Sequence, residues 1–276
     1  MSEANKAQID LWNGRVGEKW AALQVSLDAM LADATAVLTM RAGSVSGLRV
    51  LDIGCGTGVT CAIWLQGGAA VTGVDVSASM LAVATERTGG KATLLQADAS
   101  VWRGDVPFDL AVSQFGVMFF ADPEAAFANI AANLRPGGRL LFACWRPVAE
   151  NPWVTTPMGA IKDLLPPEAP PAPHAPGPFG LADRNRLSRI LERAGFVNVA
   201  MAPFDFPVCF AARGGVEAAV RMVLQIGPSA SALAGASKET MAAAAERLRS
   251  AFTPYDRDGV VTLDGAIWLV EAFKPG

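Results

Sequence analysis

The apolar run Val50-Leu51-Asp52-Ile53 breaks into glycines at alternate positions, Gly54-Cys55-Gly56-Thr57-Gly58, and then re-enters a helical pattern. Few folds accommodate this. Glycines spaced in this way remove Cβ atoms where a chain must bend sharply, and they let a ligand approach the main chain closely. From 48 to 145 short apolar runs alternate with helical periodicity, which predicts βαβ units and a parallel sheet covered on both faces. Strands are expected near 49–53, 70–75, 93–97, 108–113 and 138–144. In such a sheet ligands bind outside the carboxyl ends of the strands, where strand order reverses. Asp52, Gly54, Gly56, Asp75, Asp98 and Gln114 all fall at such ends.

The ligand is constrained by what the turn lacks. A dinucleotide fingerprint needs G-x-G-x-x-G, but the third glycine comes one residue early and Val59 stands where glycine is required. A phosphate-binding Walker loop needs a Lys-Ser/Thr pair after the glycines, and none follows. Asp52 at the strand end would repel a pyrophosphate and suit a cation. S-adenosylmethionine, with a sulfonium, an ammonium and no phosphate, meets these conditions. Asp75 closes the second strand about 20 residues after the turn, where an acidic side chain accepts hydrogen bonds from ribose hydroxyls. Asp98 either accepts from the adenine 6-amino group or caps a turn through the Ser100 and Val101 amides. Met80 packs on the nucleoside or in the core.

These segments together resemble the class I S-adenosylmethionine-dependent methyltransferases. Leu51-Asp52-Ile53-Gly54-Cys55-Gly56-Thr57-Gly58 resembles the first motif, Val74-Asp75-Val76-Ser77 the acidic second, and Gln96-Ala97-Asp98-Ala99 the adenine-side third. Ser113-Gln114-Phe115-Gly116 resembles the fourth, and Leu134-Arg135-Pro136-Gly137-Gly138 the turn before the fifth strand. Within the family the chain is similar to the small-molecule enzymes of ubiquinone and menaquinone biosynthesis. The resemblance implies an α/β, Rossmann-like seven-stranded sheet, mostly parallel with an antiparallel last strand, flanked by helices, with helical and loop insertions forming a lid. It implies that Trp12, Trp20, Asp52, Gly54, Cys55, Gly56, Asp75, Val76, Met80, Asp98, Ala99, Gln114 and Phe115 hold the cofactor. Trp12 and Trp20 then offer ring faces to the sulfonium, a cation–π contact of roughly 0.5–2 kcal/mol, or they pack their helices onto the core.

Around this centre the chain divides as follows. Residues 1–47 are expected as a helical segment, two short helices around Gly14 and Gly17 followed by more helix, which the resemblance implies lies over the cofactor. Residues 48–146 are the cofactor-binding α/β core. The proline-rich stretch 147–182 is expected as lid or loop. Residues 183–212 are a helix capped by Asp183 and the sixth strand, 213–253 a helical insertion capping the substrate, and 254–276 the last strand, paired or bent.

The whole composition narrows the function. With 276 residues, 51% of them hydrophobic, one large core is expected. A net charge of −3 without a basic run excludes a nucleic-acid footprint. Cys55, Cys61, Cys144 and Cys209 lack metal-ligand spacing and read as reduced thiols of a cytoplasmic protein, with no metal. The polar N-terminal residues lead into no secretory signal, and no apolar run approaches the roughly 20 residues that span a membrane.

Methyl transfer from a sulfonium needs alignment and water exclusion more than a base. His174, in the proline-rich stretch, and Tyr255 carry no catalytic assignment, and no catalytic residue is named. The expected acceptor walls are Phe115, Val117, Met118, Phe119, Phe120, Trp145, Trp153 and Met158, which suit a hydrophobic or aromatic small molecule. Two other readings stay open: a non-catalytic protein that binds S-adenosylmethionine or S-adenosylhomocysteine, and an NAD-dependent oxidoreductase.

Overall fold

The structure, a computed structural model, describes residues 2–166, 172 and 174–276. It opens with four short helices, α1 (Lys6–Asn13), α2 (Arg15–Ala22), α3 (Gln24–Met30) and α4 (Ala32–Ala42). The expected break falls at Gly14, whose backbone is extended. A second glycine, Gly17, lets α2 lie against the next chain crossing. A Cβ built there would sit 2.0 Å from the Trp12 carbonyl oxygen and 2.4 Å from Ser77 Oγ.

The βαβ pattern follows as expected: β1 (Arg49–Ile53), α5 (Val59–Gln66), β2 (Ala70–Asp75), α6 (Ala78–Thr88), β3 (Thr93–Gln96) and β4 (Phe108–Gln114). Then come α7 (Pro123–Asn133), β5 (Leu134–Trp145), α8 (Pro152–Ile161), α9 (Arg184–Arg193) and β6 (Val197–Ala211). Asp122 caps α7, accepting from the Ala125 amide, with Pro123 at the first helical position. Strand β5 starts four residues before the expected Gly138, because Gly137, at φ 70°, bends the chain without ending the pairing of Leu134 with Phe108. The stretch 147–182 is not only loop, since α8 crosses it. Pro152 occupies the first helical turn, and packing against the last long helix and the sheet overrides the local cost of Pro157 inside the helix. Pro167–Pro171 and Pro173, part of the expected lid, lie outside the described residues.

Helices α10 (Gly215–Val223), α11 (Gly227–Ala232) and α12 (Lys238–Phe252) come between β6 and the closing strands β7 (Asp256–Arg257) and β8 (Val260–Phe273). The sheet order is β3-β2-β1-β4-β5-β8-β6. Strands β1 to β5 are parallel, and β8 inserts antiparallel between β5 and β6. The main sheet has the seven strands expected, and β7 adds an eighth. Asp258 and Gly259, both at positive φ, fold β7 back on β8 in a two-residue hairpin turn. The Asp-Gly pair was the sequence signal for it. Strand β6 pairs only with β8, and this edge position tolerates Pro203 and Pro207. Among the described residues no helix is long and apolar enough to cross a membrane.

Candidate functional site

A cavity of about 240 Å³ runs along the carboxyl ends of β1 to β5 beneath α1 and α2. Its floor is the glycine turn. Gly54 donates to Val74 O at 2.8 Å and adopts φ 64°. A Cβ on Gly54 would lie 2.8 Å from Gly116 Cα, so the turns after β1 and β4 meet backbone to backbone. Ser113 ties them together, its hydroxyl donating to Ile53 O at 2.7 Å and accepting from the Gly116 amide at 3.2 Å.

Asp75 faces this turn. Its Oδ2 accepts from the Gly56 amide and its Oδ1 from the Ser77 amide, each at 2.8 Å. The two bonds fix the carboxylate plane and leave one lone pair on each oxygen. Burial raises the Asp75 carboxyl above its ordinary range, against the lowering effect of these amides.

Trp12, Trp20, Gly54, Cys55, Gly56, Val76, Met80, Asp98, Ala99, Gln114 and Phe115 line the same cavity as Asp75. Asp52 does not, which corrects the expectation that its charge faces a ligand. Its side chain is buried against α5, where Oδ2 accepts from Trp64 Nε1 at 3.2 Å and from the Cys61 thiol at 3.5 Å. Desolvation pushes its carboxyl up to about 6, with hydrogen bonds from α5 opposing the shift.

Asp98 does line the cavity, but its carboxylate is taken. Oδ1 accepts from Asn5 Nδ2 and the Ser100 amide, and Oδ2 from the amide and hydroxyl of Ser2. Burial alone would raise this carboxyl, yet the hydrogen bonds from Ser100 and Ser2 hold it below the usual carboxylate value.

The other half of the cavity is aromatic. Trp12 meets Trp20 and Phe119 edge to face at 5.5 and 5.1 Å. Phe115, at φ 66°, stacks on Trp145 at 4.7 Å, and Trp145 in turn contacts Trp153 at 4.6 Å. A non-glycine residue held in the left-handed region carries strain that only its surroundings sustain, a feature concentrated at functional sites. The wall is completed by Leu27, Met30 and Leu31 of α3 and its end, Val208 of β6, and Ile226 to Pro228 at the start of α11. None of these was expected at the site from sequence, nor were Asn5 and Gln8. The α1 residues had a signal: Asn5, Gln8 and Trp12 are spaced to share one helical face.

Among the described lining residues there is no Lys, Arg or His. His174 lies in a separate shallow groove with Asp183, Arg184 and Trp268, and Tyr255 sits exposed between α12 and β7. Among the described residues three buried polar atoms of the cavity have no hydrogen-bond partner: Gln8 Oε1, Trp12 Nε1 and Gln114 Oε1. A buried polar group left unpaired costs about 1–3 kcal/mol, so each is suited to pair with a ligand group.

Residues 51–142 match a family model described as a methyltransferase domain. A malonyl-[acyl-carrier protein] O-methyltransferase of Serratia marcescens is 33% identical over 139 residues, 48% of this chain and 54% of the relative. A demethylmenaquinone methyltransferase of Tropheryma whipplei is 34% identical over 107 residues, 36% of this chain and 42% of that protein. The chain thus spans about half the length of the curated relatives it matches. In fold it is similar to the magnesium protoporphyrin IX methyltransferase of Synechocystis with bound SAH, at a TM-score of 0.56 and 15% identity, covering 99% of this chain and all of that one (100%).

Proposed function

We propose that this chain, whose residues 51–142 match a family model described as a methyltransferase domain, transfers a methyl group from S-adenosylmethionine to a neutral, apolar small molecule. The observation that carries the reading is the Asp75 carboxylate, which lines the cavity and is held by the Gly56 and Ser77 amides over the glycine turn. That arrangement fits a ribose diol. The turn at Gly54 and Gly56 brings bare backbone to the methionine portion, and Gln114 Oε1 offers an acceptor to its ammonium.

S-adenosylmethionine supplies a methyl carbon on a sulfur that is already a good leaving group. The chain's tasks are to align the acceptor and keep water out. The Phe115–Trp145 stack and the Trp12, Trp20 and Phe119 cluster do both, as flat apolar surfaces facing the strand ends. No histidine, lysine or tyrosine lines the cavity among the described residues, and of the lining carboxylates Asp28 is ion-paired with Arg87, Asp75 is held by the Gly56 and Ser77 amides, and Asp98 by Ser2, Asn5 and Ser100.

The acceptor class follows from charge. Two relatives act, by their names, on malonyl-[acyl-carrier protein] and on demethylmenaquinone. A free carboxylate in this cavity would meet no Lys, Arg or His among the described lining residues, leaving the sulfonium as its cationic neighbour, and would lose several kcal/mol of hydration. The aromatic wall supports a quinol-like or other neutral aromatic acceptor instead.

Calorimetry with S-adenosylhomocysteine is the first test. Wild type binds, and Asp75→Ala, checked for folding by circular dichroism, loses about 2–3 kcal/mol of affinity. Unchanged affinity in that variant removes Asp75 from the site. Labelled methyl transfer to neutral quinols, with none to malonyl thioesters, is the expected acceptor profile, and the reverse pattern overturns the acceptor class.

A further inference from the structure

Strand β8 carries a glycine in its interior that its backbone does not require. Gly265 is buried, its φ lies outside the left-handed region, and the residues on either side continue the pairing with β6. A glycine inside a strand weakens it, so its presence points to a neighbour that needs the space a side chain would fill.

The aromatic wall uses that space. Gly265 pairs with Phe206 of β6, and Ile267, two residues on and on the same face, pairs with Trp145 of β5. Strand β8 lies between β5 and β6, so the two aromatic residues stand two strand spacings apart, roughly 9–10 Å. Their rings nevertheless stack with centroids 5.8 Å apart, leaning toward each other across the bare glycine. A Cβ on Gly265 would lie 2.5 Å from Val208 Cγ2, 3.1 Å from Trp145 Cζ3 and 3.4 Å from Trp153 Cδ1. All three of those residues line the cavity, and Gly265 lies behind them.

The wall has little room to yield in any other direction. Trp145 is stacked on Phe115 at 4.7 Å as well as on Phe206. Trp153 donates to Asn151 Oδ1 at 3.0 Å, and the same oxygen accepts from the amide of Ala266, next to Gly265, at 2.8 Å. Asn151 is itself fully buried and fixed, its Nδ2 donating to the carbonyls of Arg146 and Pro147 at 3.1 Å each. Bulk added at position 265 is therefore relieved by moving these side chains toward the cavity.

We propose that Gly265 is a positioning residue that sets the depth of the acceptor end of the cavity, acting through Trp145, Trp153 and Val208. The proposal rests on the aromatic-acceptor reading above. It places a determinant of acceptor size one layer behind the lining.

The test is calorimetry on the full chain saturated with S-adenosylhomocysteine, with phenol and 1-naphthol as neutral one-ring and two-ring probes. Wild type binds 1-naphthol more tightly, because its second ring buries more apolar area. Gly265→Ala lowers the 1-naphthol affinity about tenfold, with the affinities for phenol and S-adenosylhomocysteine unchanged. The same methyl is also added to Val208→Ala, where the tightest contact is absent. Val208→Ala alone favours 1-naphthol further, and Gly265→Ala in that background removes the gain, so this pair decides the matter if the single Gly265→Ala variant does not fold. Equal losses for phenol, 1-naphthol and S-adenosylhomocysteine would make Gly265 merely structural, and undiminished 1-naphthol binding would show that the wall does not depend on it; either overturns the proposal. If wild type with S-adenosylhomocysteine bound takes up neither probe, the aromatic-acceptor reading falls and the proposal with it, while the cofactor assignment stands.

Discussion

The two halves of the cavity are built differently. The half formed by the glycine turn and Asp75 is local and polar: Gly56 and Asp75 are 19 residues apart, and Ser77 follows within two. The aromatic half gathers Trp12, Phe115, Trp145, Trp153, Val208 and Pro228 from across the chain. The first half presents fixed backbone dipoles and suits one invariant ligand. The second presents exchangeable apolar surface, which a change of one or two side chains reshapes without disturbing the first. A common cofactor and a variable acceptor are what such a division permits.

The sharpest way to break this contrast is at the turn. Gly54→Val places a side chain at φ 64° and within 2.8 Å of Gly116 Cα, a backbone atom that cannot move aside. We expect a loss of about 3 kcal/mol or more in stability, read by chemical denaturation, and no detectable binding of S-adenosylhomocysteine. Wild-type binding in this variant would show that the polar half is not rigid.

Asp52 gives a second, smaller effect beneath the same turn. Its carboxyl stands at about 6 in the folded chain, against 3.8 for an unperturbed aspartic acid. A raised acid favours the folded state while protonated, so its contribution is complete below about pH 4 and is lost as pH rises through about 6. Comparing Asp52→Asn with wild type, the stability difference should shift in favour of the variant by roughly 2–3 kcal/mol between pH 4 and pH 7. A difference that stays flat with pH means that burial does not govern this carboxyl.

The smallest effect sharpens the comparison from the aromatic side. Trp153 is half-buried against Trp145, and its indole nitrogen donates to Asn151 Oδ1 at 3.0 Å. Trp153→Leu should raise the KM for an aromatic acceptor by about tenfold, equivalent to 1–2 kcal/mol of lost ring contact, with the S-adenosylhomocysteine Kd unchanged. Equal losses for both ligands would mean that the two halves act as one.

The polar half was largely legible in the chain, because each of its elements is specified within a few residues. Alternate glycines after an apolar run mark the turn, and Asp75 ends the next run. The aromatic half was legible only as a set of apolar residues. Trp145 and Trp153, expected as acceptor wall because they follow the fifth strand, do line the cavity, whereas Val117 and Met158, expected with them, are not among its described lining residues. Helix α8 was missed because proline-rich composition argues locally for loop, while its packing partner α12 lies some 80 residues further on.

What the sequence by itself determined was the succession of strands and helices, the position of the ligand turn, and the acidic residues that stand near it. Turn chemistry and periodicity act over short range and need no knowledge of the partner. Tertiary structure alone decided where those acids point and what they touch: Asp52 turns inward to Trp64, and Asp98 is claimed by Ser2 and Asn5. A strand's alternation sets two faces without naming which is wet, and a carboxylate's hydrogen bonds go to whatever donors the packed chain brings within about 3 Å.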